Sequence, residues 1–108
     1  MITKLKIADS FWSRLKGLMF KKKISLNEGM FFPNCGRVHT CFMKFDLCVI
    51  YLDKYLNVIG YQVLKPWKIS KRIKGTKHIL ETSSEFRRVL KKDTKKKVLN
   101  IEEVEKYV

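Results

Sequence analysis

The sequence predicts a mainly β chain, a single compact β-sandwich or barrel-like domain over residues 1–108 with one or two short helices. Three observations predict it. The stretches Val38 to Phe45, Leu47 to Asp53 and Leu56 to Leu64 are rich in β-branched and aromatic residues, which suit a pleated, half-buried surface. Between and around them lie only small helical pieces, not the long crossover helices that join parallel strands. Finally, 108 residues that are 45% apolar, with few glycines and prolines, can bury one real core but not two.

Taken in order, residues 2 to 7 alternate Ile2, Lys4, Lys6 with Thr3, Leu5, Ile7, a short first strand. Asp9 and Ser10 offer N-caps for a helical turn through Phe11, Trp12 and Leu15 that ends near Gly17. Gly29 to Phe32 reads as a buried strand stopped by Pro33, and Asn34-Cys35-Gly36 as a turn. Asp53-Lys54-Tyr55 closes a hairpin between the two strands that flank it. Lys77 to Thr82 is a further strand, Ser83 or Ser84 caps a helical turn over Glu85 to Leu90, and Lys97 to Ile101 is a closing strand.

Cys35, Cys41 and Cys48 are odd in number and form no C-x-x-C pair, which suits a reducing compartment. No apolar run reaches the roughly 18 residues of a membrane span, and charges interrupt the first residues. The expectation is a cytoplasmic protein with no transmembrane segment.

Charge is the strongest compositional feature: 24 Lys and Arg against 10 Asp and Glu give a net +14. Thirteen basic and three acidic residues fall between Lys65 and Lys97. That density points to polyanion or nucleic-acid binding through Lys65, Lys68, Lys71, Arg72, Lys74, Arg87, Arg88, Lys91 and Lys92. The competing reading is a solvated, lysine-rich surface.

If Val38 to Phe45 is a strand, alternation gathers His39, Cys41, Met43 and Phe45 on one face. An imidazole, a thiol and a thioether are soft-metal ligands, but the spacing lacks the paired ligands of zinc sites, so no metal is expected. His39 and Cys41 could form a base and nucleophile, the basis of an enzyme reading; a core thiol beside a backbone-bonded histidine fits the same pattern. Paired catalytic carboxylates, a phosphate-cradling glycine loop and a Ser-His-Asp order are all missing from the sequence. No cofactor is expected and no residue is assigned as catalytic.

The runs Arg14 to Phe20, Gly29-Met30-Phe31-Phe32, Val38 to Phe45, Tyr51-Leu52-Asp53, Lys65-Pro66-Trp67 and His78-Ile79-Leu80-Glu81 resemble, in order and spacing, the domain of unknown function 192 family of small bacterial and archaeal proteins. The resemblance covers roughly Leu5 to Ile101. It implies a β-rich sandwich-like domain, occurring in exported and cytoplasmic versions, with no assigned reaction. The family's recurrent positions fall on Arg14, Gly17, Gly29, His39, Thr40, Met43, Asp53, Pro66 and Glu81. Glycine, proline and Asp53 are accounted for by turns and packing. Arg14, His39, Thr40 and Glu81 are not, and with Met43 they form the expected ligand-binding set; an Arg14 to Glu81 ion pair is the structural alternative. This chain departs from the pattern at Cys48, where the resemblance leads one to expect aspartate, and at Thr82-Ser83-Ser84, in place of proline and glycine.

The reading that results is a small-ligand-binding or protein-accessory β module, with an unidentified small ligand or protein as partner. The alternatives are polyanion binding through residues 65–97 and an enzyme that uses Cys41 or His39.

Overall fold

Five strands form one sheet in the computed structural model, which describes residues 2–8 and 23–92. They are β1 (Lys4–Ile7), β2 (Glu28–Phe32), β3 (Leu47–Leu52), β4 (Val58–Leu64) and β5 (His78–Ser83), followed by the helix α1 (Phe86–Lys92). The order across the sheet is β1-β2-β5-β3-β4. The mainly β class is as expected, and among the described residues the architecture is one open sheet with no closed barrel. β1 and β2 run parallel, whereas β2–β5, β5–β3 and β3–β4 are antiparallel.

β3 and β5 have every residue buried because each has a strand on either side and cover on both faces. Alternation then divides the core in two. One layer holds Ile2, Phe31, Cys48, Ile50, Leu52 and Leu80 beneath Phe86 and Leu90 of α1. The other holds Met30, Phe32, Leu47, Val49, Tyr51, Leu64 and Ile79, covered by Val38 and Met43 of the long β2–β3 connection. Ile73 of the β4–β5 connection packs against this second layer.

The turns follow their local chemistry. Asp53 closes the β3–β4 hairpin, its Oδ1 accepting from the amides of Tyr55 and Asn57, both at 2.9 Å. A β-bulge at Ile59 follows, since Tyr51 faces Gly60 and Leu52 faces Val58. Ser83 Oγ accepts from the Glu85 amide at the start of α1 (3.3 Å), as a capping serine does. The helical turn expected over residues 9–17 and the strand expected over residues 97–101 lie outside the described residues.

Val38 to Phe45 is not a strand. It forms a single bridge, His39 to Ile69, and then turns. Its β-type composition is overridden by one side chain: the Thr40 hydroxyl binds the β4–β5 connection, and Phe42 adopts φ 64°. The alternation that would align His39, Cys41, Met43 and Phe45 is therefore absent.

Candidate functional site

Two loops, residues 37–44 and 65–70, are joined at Thr40, which is fully buried. Its hydroxyl donates to the Lys65 carbonyl (2.6 Å) and accepts from the Lys68 amide (2.8 Å). Its backbone amide donates to the Lys68 carbonyl, and its own carbonyl accepts from the amides of Trp67 and Met43. Ser70 makes the second join: its Oγ accepts from the Val38 amide (2.9 Å) and its carbonyl from Arg37 Nε (2.8 Å). Tyr51, rising from β3, donates to the Lys71 carbonyl at 2.6 Å and anchors the pair to the sheet. Each polar atom has a structural partner, as a buried network requires.

This seam holds three large apolar side chains in solvent: Phe42, Trp67 and Ile69 are 47%, 60% and 62% exposed. The Phe42 and Trp67 rings stand 4.6 Å apart, tilted by 57°. Both residues have positive φ, 64° and 63°, a conformation bulky residues adopt at a cost of order 1–3 kcal/mol each. Lys44, Lys65 and Lys68 on the same loops are exposed. Sequence reasoning did not assign Phe42, Trp67 or Ile69 to a site. The available signal was Trp67 and Ile69 standing between lysines in a stretch with neither helical nor strand period.

The residues expected to bind a ligand are only partly brought together. Arg14 lies outside the described residues. Met43 is core and Thr40 is a scaffold, both buried. Half-buried His39 accepts from the Cys41 amide at Nδ1 (3.1 Å), so this nitrogen meets the backbone of Cys41 and not its thiol. Glu81, 3% exposed, stands on β5 between Met30 of β2 and Val49 of β3, on the sheet face that the two loops cover. Burial raises its carboxyl to about 8, and no hydrogen bond or charged group among the described residues reaches it.

Cys48, where the resemblance would have aspartate, faces the other layer opposite Thr82. Burial pushes its thiol up to about 11, which makes it a poor nucleophile. Among the described residues no three His, Cys, Asp or Glu side chains gather as metal ligands.

The basic residues fall into two groups. Lys65, Lys68, Lys71, Arg72 and Lys74 are exposed along the β4–β5 connection, over the face that holds Ile73 and Tyr51. Exposed Arg87, Arg88 and Lys91 belong to α1, which covers the opposite face, and Lys92 ends that helix. No described helix is long and apolar enough to cross a membrane.

Fold and loops together define a small open-sheet β domain with a buried core carboxyl and an aromatic loop platform. The chain belongs to the domain of unknown function 192 family, whose model, described as "Uncharacterized ACR, COG1430", matches residues 1–103. It is 31% identical over 83 residues to a UPF0127 protein of Thermococcus sibiricus, covering 73% of this chain and 54% of that one. A UPF0127 protein of Pyrococcus abyssi is 32% identical over 101 residues, 88% of this chain and 84% of the relative. The chain spans about half the length of the Thermococcus relatives it matches. A crystal structure of a protein of unknown function from Novosphingobium aromaticivorans superposes with a TM-score of 0.67 at 20% identity, over 79% of this chain and 66% of that one. That likeness concerns the fold alone.

Proposed function

We propose that the chain is a non-enzymatic accessory module that docks a protein segment of mixed apolar and acidic character on the platform of Phe42, Trp67 and Ile69. The observation that carries this reading is the exposure of these three side chains on loops that a buried threonine and serine hold rigidly. Exposed apolar area costs about 25 cal/mol per Å², and a fold that also strains two aromatic residues to present it gains nothing from the arrangement unless the surface is used. Lys44, Lys65 and Lys68 favour an acidic occupant. Thr40 and Met43 serve this surface from beneath, as scaffold and core.

A second reading has support in the ring pair itself, since tilted aromatics beside lysines suit stacked bases of single-stranded nucleic acid. Against a long polyanion track stands the division of the basic residues between the two sheet faces. The reading of an enzyme built on Cys41 and His39 gains nothing from a His39 Nδ1 already occupied by a backbone amide.

The test is an NMR titration of the isotopically labelled chain with a synthetic peptide alternating Glu with Leu and Phe, and separately with a short oligothymidylate at low salt. Peptide shifts centred on residues 38–44 and 65–70 are expected, and Trp67→Ala, an exposed position, should abolish them while the fold is retained. Absent peptide binding, or a footprint elsewhere, overturns the proposal. Salt-sensitive oligonucleotide binding at these rings without peptide binding replaces it with the second reading.

A further inference from the structure

The two edges of the sheet are built differently. β1 carries the sequence Lys-Leu-Lys-Ile with both lysines exposed. Charged side chains on an edge strand are the usual guard against an incoming strand. β4, at the other edge, reads Val-Ile-Gly-Tyr-Gln-Val-Leu and has no charge in seven residues. The flank that follows it is basic: Lys65 comes next, and Lys71 and Lys74 are exposed on the connection alongside, while Lys54 in the hairpin turn before it stands beside Asp53.

The outer edge of β4 is open among the described residues. It pairs with β3 on its inner side, and no turn, loop or cross-strand backbone hydrogen bond reaches its other side. In an antiparallel edge strand alternate residues turn their N–H and C=O groups outward, where they are unused by the sheet. The bulge at Ile59 disturbs the first part, but from Gly60 to Leu64 the register is regular, about 17 Å of strand at about 3.4 Å per residue. The β4–β5 connection crosses the face of the sheet and does not cap its edge: the Lys71 amide donates to Gln62 Oε1, and Ile73 Cδ1 lies over Gly60.

We propose that this edge is a strand-addition site for an extended acidic segment of a partner protein, which would pair with Gly60 to Leu64 as a sixth strand. Backbone pairing supplies the attraction, and Lys65, Lys71 and Lys74 select for acidic side chains. The net +14 of each copy opposes pairing of β4 with a second copy, which would bring two strongly positive chains together. The site shares Lys65 with the rim of the aromatic platform but uses none of its three apolar side chains, so the two can be tested apart.

Amide hydrogen exchange on the full chain tests the proposal, with an alternating Glu-Val peptide as probe. In the free chain the outward amides of Gly60 to Leu64 should exchange fast and the inward ones slowly. Saturating peptide should slow the outward set by about tenfold or more. The same peptide N-methylated at alternate residues, and an alternating Lys-Val peptide, should not. Trp67→Ala should leave the protection unchanged, which separates this site from the platform. Slow outward exchange in the free chain, whatever covers the edge, overturns the proposal. So does protection that grows with protein concentration alone, which marks a homodimer, or equal protection by acidic and basic peptides.

Discussion

The Glu81 carboxyl couples the stability of the sheet to pH with an unusual sign. Its folded value of about 8 lies above the ordinary 4.5 because burial between Met30 and Val49 disfavours the anion. Between those two values the folded chain holds the proton and the unfolded chain releases it, so stability falls as pH rises. The contribution is fully present below about pH 4.5 and is lost as pH climbs through about 8. At about 1.4 kcal/mol per pH unit, raising the pH from about 5 to about 7 costs about 3 kcal/mol, a large part of a small domain's stability. Glu81→Gln keeps the shape of the protonated acid without its titration. Urea unfolding of both proteins followed by circular dichroism across this range should give a wild-type stability that falls more steeply than the variant's by that amount, with equal m-values. The variant's stability at any one pH also carries the cost of a buried amide, so the difference in slope is the diagnostic quantity. Parallel slopes would refute the assignment of a buried carboxyl that keeps its proton in the folded chain.

Thr40→Val should lower stability by about 2–4 kcal/mol in the same assay, because the Lys65 carbonyl and Lys68 amide lose their partner, whereas Thr40→Ser should stay within about 1 kcal/mol. Gly60→Ala sets a methyl 2.7 Å from Ile73 Cδ1, the free end of a half-buried side chain that can rotate aside, and should shift stability by no more than about 1 kcal/mol; Ile73→Val removes that atom, so the double variant should be at least as stable as the sum of the single effects allows. With a thiol-specific dye, half-buried Cys35 and Cys41 should label in the native chain while Cys48 labels only on unfolding. Native labelling of all three would contradict the packing of β3 against α1.

The hairpin of β3 and β4 was legible because its signals are local: apolar runs on either side of an Asp53 whose side chain makes the turn. β2 and β5 were legible for the same reason, each bounded by turn residues. Val38 to Phe45 was misleading because what decides its shape lies elsewhere in the chain, in the Lys65 carbonyl and Lys68 amide that Thr40 binds. The site divides along the same line. Glu81 could be singled out through the family resemblance, but its burial follows from β5 lying between β2 and β3, a pairing no local pattern encodes. The aromatic platform was hidden because exposure of Phe42 and Trp67 depends on left-handed backbone fixed by distant hydrogen bonds.

The strand order has a consequence for how the chain is made. β5 is the last strand in the described sequence, yet it is the one that joins β1–β2 to β3–β4. As a nascent chain leaves the ribosome, two strand pairs emerge before the piece that unites them, each with an inner edge still unpaired. Contacts so distant in sequence form slowly, and edges that wait are where misassembly begins. A chain cut just before His78 would therefore lose the seam that makes one sheet of two halves, and not merely one strand in five.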